Sequence, residues 1–213
     1  AATLKANGID PATANPPAEG NGLLRRAWQE FCCQSLSDSY RQMCRYARTL
    51  RPGILVECNP GGVRPTIVPP VDHGRLYGGG EAVWDEGPES GFRNGRLQSH
   101  IRTFKVARAM GNMVFAYTPT PLAAAESMAF NLDCLGAICW FEWGRVACRP
   151  ARTEPPSPEL PRYVKFFRER RDLLRDAEVV ADLAVLRSFP SMVFAEPETA
   201  VLTGAVEDAL ILD

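Results

Sequence analysis

The sequence predicts an α/β fold built from parallel βα units, and three observations carry that prediction. Short apolar runs of strand length recur at "ILVEC" (54–58), "EAVW" (81–84), "NMVFAY" (112–117) and "AICWFEW" (137–143). The segments between them hold helix-period apolar residues or loops of crossover length, which parallel pairing requires. The composition, 46% hydrophobic and 23% charged over 213 residues, is that of an ordinary globular chain.

Residues 1–22, rich in Ala, Pro, Gly and Asn, predict a surface loop. From 23 to 50, Phe31, Leu36, Tyr40, Met43, Cys44, Ala47 and Leu50 recur at three- and four-residue intervals, and Pro52 and Gly53 close the segment, so an amphipathic helix is expected. "ILVEC" followed by "NPGG" reads as a buried strand entering a loop, and a Pro- and Gly-rich loop over 60–80 leads to the strand "EAVW". A helix over about 96–109, the strand 112–117, a helix over about 121–135 and the strand 137–143 continue the alternation. "RPARTEPPSPELP" (149–161) is a proline-rich connector and the best domain boundary. A helix at about 159–174, a strand at "DLAVLRS" (182–188) and a helix at 198–211 follow it. The expected division is therefore a first domain over 1–150, a linker and helix over 151–178, and the start of a second domain over 179–213. One strand and one helix cannot bury their own faces, so this second domain is expected to be cut off.

Lysine plus arginine number 24 against 25 acidic residues, a net charge of −1 that gives no general electrostatic drive toward nucleic acid or anionic membrane. No apolar run reaches the roughly 18 residues of a membrane span. Seven cysteines without a CxxC pair, most of them in apolar segments, predict buried thiols rather than disulfides or a zinc site. His73 and His100 are too far apart and too unlike in context for a metal pair, and a surface or loop position is expected for each. "GGG" (78–80) lacks the Lys and Ser/Thr of a phosphate loop and precedes a strand, so it reads as a flexible loop. "RERRD" (168–172) reads as the solvated side of its helix. No metal or cofactor is expected.

In parallel α/β folds ligands sit at the carboxyl ends of the strands, where the strand ends and following loops converge. Those positions hold Glu57, Cys58 and Asn59; Trp84, Asp85 and Glu86; Tyr117 and Thr118; and Trp140, Phe141, Glu142 and Trp143. Carboxylates interleaved with aromatics suit sugars, whose apolar faces stack on rings and whose hydroxyls and glycosidic oxygen are handled by acids. The candidate catalytic acids are Asp85, Glu86 and Glu142, with Glu57, Asn59, Trp84, Tyr117 and Trp140 as candidate substrate contacts. Glycoside hydrolysis uses two carboxyls roughly 5–5.5 Å apart for retention or about 6.5–9.5 Å for inversion. Neighbours in an extended segment face opposite ways, so at most one of Asp85 and Glu86 enters a pocket. Glu86, before Gly87 and Pro88, also fits a solvated turn, whereas Glu142 between aromatics needs a partner.

The run "YRQMCRYARTLRPGILVECNPGG", "EAVWDEG", "NMVFAYTP", "LGAICWFEWG" and "YVKFFRERRDLLRDAEVVADLAVLRS" resembles the second half of the catalytic barrel of family 42 glycoside hydrolases, which are β-galactosidase-like, and related hypothetical glycosyl hydrolases. Its last segment resembles the junction into their flavodoxin-like trimerisation domain. The resemblance implies the C-terminal half of a (β/α)8 TIM-type barrel, strands five to eight, followed by the beginning of a flavodoxin-like domain. It also implies a carbohydrate substrate, a parent protein that is a homo-oligomer, and a family acid/base glutamate lying before Ala1. At the end of strand seven, where the family carries its nucleophile glutamate, this chain has "FAYTPTP" with Tyr117 and Thr118 and no acid. The leading expectation is a fragment of a glycoside hydrolase-like protein, inactive as this chain alone, in whose parent Glu86 or Glu142 stands in for the missing acid. A non-catalytic carbohydrate-binding or assembly protein on the same scaffold is the alternative. An open flavodoxin-like sheet binding a nucleotide ranks third, because no phosphate-type glycine loop joins a strand to a helix.

Overall fold

In the computed structural model, two of the helices begin at a side chain that caps them, Asp72 in one case and Thr120 in the other. The residues described are 5–6, 8, 10, 12–13, 22–63, 71–78, 82–87, 90–93, 96–136, 157–175, 177–178, 180–188 and 205–210. They group into two units, one comprising Ala1–Val56, Arg64–Gly80 and Val185–Asp213 and the other Glu57–Val63 and Glu81–Ala184.

The first unit is led by α1 (Gly22–Leu50), as the helical periodicity predicts. Its buried stripe is Cys33, Ser37, Tyr40 and Cys44, spaced three or four residues apart along one face, and Ala27 is buried as well. Leu36, Met43 and Leu50, which the apolar pattern placed with Tyr40 and Cys44, instead point to solvent, Met43 being 61% and Leu50 70% exposed. The helix is thus apolar on two arcs, and only one is covered by its own unit. A short helix, α2 (His73–Tyr77), is capped by Asp72, whose carboxylate accepts from the Arg75 amide at 3.3 Å. Arg75 then ties α2 to α1, its guanidinium lying 2.8 Å from Glu30 and 2.9 Å from Asp72, while its carbonyl accepts from Arg41 at 3.0 Å. Cys33 is buried beside this network; burial first, and then the Asp72 charge, push its thiol up to about 11.

The second unit holds a three-stranded sheet of β1 (Glu57–Cys58), β2 (Ala82–Asp85) and β5 (Met113–Ala116), in the order β1–β2–β5. Both pairings are parallel, so the α/β class with parallel pairing holds. Helices α3 (Ile101–Ala109), α4 (Pro121–Phe130) and α5 (Leu160–Arg175) accompany it. Thr120 caps α4 by accepting from the Ala123 amide at 3.2 Å, and Pro121 occupies the first turn, where its missing N–H costs nothing. Helix α5 packs on α4 through a cluster of Ala124, Leu135 and Leu160, extended by Met128, Tyr163, Val164 and Phe167. The "RERRD" residues (168–172) are all exposed, as expected, and from that solvated side Arg171, with Arg175 one turn on, reaches Asp133 at 2.7 and 3.2 Å.

Three further expectations are corrected. The helix expected from about residue 96 begins at Ile101, because an antiparallel hairpin, β3 (Gly91–Arg93) with β4 (Arg96–Gln98), precedes it, Phe92 lying opposite Leu97. Two residues, Asn94 and Gly95, separate these strands in sequence, a dipeptide that favours a tight two-residue turn. The helix expected to 135 ends at Phe130, where Asn131 turns its side chain onto β5. "DLAVLRS" (182–188) forms no strand, and Leu183 and Leu186 are exposed. The strand expected at 137–143, with Trp140 and Glu142, lies outside the described residues, and helical structure at the chain's end is described over 205–210.

Candidate functional site at the strand ends

Alternation along β2 and β5 separates two kinds of surface. Trp84 pairs in register with Phe115, and Asp85 with Ala116. The Trp84 ring stacks on Phe115 with centroids 6.1 Å apart and meets Tyr117 edge-on at 5.4 Å. All three aromatics are half-buried, and their rings cluster toward the carboxyl ends of neighbouring parallel strands.

Asp85 takes the opposite face and is fully buried. Its carboxylate accepts from the Thr103 hydroxyl at 2.7 Å and from the Gly87 amide at 2.8 Å, and it lies 2.9 Å from Nδ1 of His100. An acceptor-only carboxylate assigns the ring proton to Nδ1. Thr103 in turn accepts from the Val63 amide at 2.9 Å, which draws the loop after β1 over the carboxylate. Gly62 passes so close that a Cβ there would overlap the Asp85 oxygens. A second buried acid, Glu126 on α4, accepts from the Ser90 hydroxyl at 2.6 Å and, at a longer 3.4 Å, from the His100 amide. His100 itself is 2% exposed, not at the surface, and Nε2 of its ring has no hydrogen-bond partner among the described residues.

The sequence-predicted residues therefore fall into three groups. Trp84 and Tyr117 come together, with Phe115 as an addition that sequence reasoning did not single out. Glu86, Glu57 and Asn59 are exposed, whereas Asp85 faces α3 and carries out a structural task. Trp140 and Glu142 lie outside the described residues. That only one of Asp85 and Glu86 opens to solvent follows the strand alternation. The buried polar group of His100, Thr103, Ser90 and Glu126 was not anticipated. Gly62 in "NPGG" was the available signal, since paired glycines after a strand mark a close backbone approach.

Among the described residues no cluster of three or more His, Cys, Asp or Glu could hold a metal ion, and no helix is long and apolar enough to cross a membrane. None of the five described cysteines is in a disulfide. An open groove of about 650 Å³ runs along the first turns of α5, lined by Ser157, Leu160, Val164 and Arg168, and none of the predicted site residues lines it. Compared with family models, with curated proteins and with solved structures, the chain gave no match.

Proposed function

We propose that the chain recognises carbohydrate at its strand ends, as part of a glycoside hydrolase-like protein of the β-galactosidase-like kind. In this reading it is the C-terminal half of a (β/α)8 barrel that leads into a flavodoxin-like trimerisation domain, and its parent is a homo-oligomer. The observation that carries the reading is the Trp84–Tyr117 pair, two half-buried rings on adjacent parallel strand ends, with the exposed Glu86 two residues after Trp84. Aromatic faces supply the stacking surface for a pyranose and a carboxylate accepts its hydroxyls.

Binding without turnover by this chain follows from the acids. A retaining mechanism needs two carboxyls about 5–5.5 Å apart, one protonating the leaving oxygen and the other attacking the anomeric carbon. Asp85 is sealed and engaged by three donors, so it cannot present a lone pair to a sugar. Tyr117 and Thr118 stand where the resembled family places its nucleophile. The second reading, hydrolysis of a β-galactoside by a longer parent with Glu86 as one of the two acids, is favoured by the exposure of that side chain.

The test is a titration of the purified chain with galactose, lactose and maltose, followed by tryptophan fluorescence, alongside an aryl β-galactoside assay. Binding is expected with a Kd at or below about 10 mM, is lost in Trp84→Ala, and occurs without turnover. No saturable response to any of the sugars sinks the recognition reading, while turnover by the monomeric chain replaces it with the enzymatic one.

A further inference from the structure

Asp85 and Glu126 each hold both ends of one excursion of the chain. The β3–β4 hairpin leaves the sheet after β2 and returns into α3, so its departing foot contains Gly87 and Ser90 and its returning foot contains His100. Asp85 binds the departing foot through the Gly87 amide at 2.8 Å and the returning foot through His100 Nδ1 at 2.9 Å. Glu126 repeats the pattern from α4, binding Ser90 on the first foot at 2.6 Å and the His100 amide on the second at 3.4 Å. Asp85 is in turn fixed to α3 by Thr103, and Gly62 lets the loop after β1 close over it.

We propose that Asp85 and Glu126 are positioning residues, a double carboxylate clamp that fixes the β3–β4 hairpin and, with it, the presentation of Glu86 at the strand ends. Glu86 stands between Asp85 and Gly87, and the Gly87 amide bonds back to the Asp85 carboxylate, so this short turn directs the Glu86 side chain outward, where it is exposed. Phe92 on the hairpin is 76% exposed, so little apolar burial of its own holds β3 in place. A two-stranded hairpin is marginal alone, and its order therefore depends on how its feet are anchored. Both carboxylates are shielded from water, where a hydrogen bond is stronger and the loss of a partner costs more.

The role of Glu86 toward a sugar rests on the carbohydrate reading; the clamp does not, and the experiment separates them. Amide hydrogen exchange is measured on the full chain for the parent sequence, Ser90→Ala and Asp85→Asn. Ser90→Ala removes one foot's bond without touching the sheet, which keeps the test valid if Asp85→Asn folds poorly. Exchange in peptides covering Glu86–Gln98 is expected to rise at least tenfold in Ser90→Ala, with the amides of Val83 and Val114 unchanged. An equal rise across hairpin and sheet, or hairpin exchange already at the unprotected rate in the parent sequence, overturns the proposal. In the same variants galactose affinity is expected to fall about tenfold; a parent sequence that binds no sugar removes the carbohydrate reading and leaves the exchange result to decide the clamp.

Discussion

Oδ2 of Asp85 and Nδ1 of His100 lie 2.9 Å apart, and neither side chain is more than 2% exposed. The carboxylate that sequence reasoning offered as a reacting acid is thus committed to three donors inside the second unit. Removing it strands the Thr103 hydroxyl, the Gly87 amide and the His100 ring proton in a dry site. Asp85→Ala is expected to destabilise the unit by about 3 kcal/mol, whereas Glu86→Ala, at an exposed position, changes stability by less than about 0.5 kcal/mol. Urea unfolding of the two variants checks the contrast, and equal midpoints would contradict the buried role.

Gly62 supplies an independent probe of the same carboxylate. A methyl group there overlaps the Asp85 oxygens, which cannot retreat without breaking their bonds, so Gly62→Ala is expected to cost about 2 kcal/mol. Gly78 is the control: it caps α2 at a φ of −68° that any residue adopts, and the nearest atom to a Cβ there is 3.6 Å away. Gly78→Ala should leave the thermal midpoint within about 1 °C of the parent value.

Asn131 bonds to β5 in the manner of a neighbouring strand. Its Oδ1 accepts from the Val114 amide at 3.0 Å and its Nδ2 donates to the Val114 carbonyl at 2.8 Å, satisfying the donor and the acceptor of one buried edge residue. An aspartate can accept but not donate and adds a buried charge. Asn131→Asp is therefore expected to cost at least about 2 kcal/mol, read as a lowered urea midpoint.

Asp133 predicts a pH dependence. The Arg171 hydrogen bond, and after it that from Arg175, hold its carboxyl below the usual carboxylate range despite an opposing effect of burial. A depressed folded value means that its stabilisation is present above the unfolded value near pH 4 and is lost as pH falls through the folded value. Asp133→Asn should lower the urea midpoint at pH 7, and the difference from the parent chain should shrink toward zero near pH 2. A constant difference across that range would exclude the ion pair as its cause.

Cys33 is expected to be the slowest of the described thiols to react. With its thiol pushed up to about 11, on the order of a thousandth of it is thiolate at pH 8, and it is fully buried. Alkylation of the folded chain followed by peptide mapping should mark the half-exposed Cys58 first. Labelling of Cys33 at a comparable rate would show that α2 does not stay closed on α1.

The sequence by itself determined the elements whose signals are local. The Thr120–Pro121 start of α4, the period of α1 and the parallel order implied by strands separated at crossover distance all depend on a few neighbouring residues, and all are present. The Asn94–Gly95 pair between β3 and β4 is an equally local signal, a dipeptide that favours a hairpin turn. Alternation alone told that Asp85 and Glu86 part company, but not which of them meets solvent, because that depends on which face of β2 receives α3. Tertiary structure decided this: Thr103 and His100, fifteen to eighteen residues away, arrive on the Asp85 side and leave Trp84 with Phe115 and Tyr117 on the other. It also decided which arc of α1 is covered, sending Tyr40 and Cys44 inward and Met43 outward. Periodicity shows that a face is apolar, whereas burial depends on a second surface that comes from elsewhere in the chain.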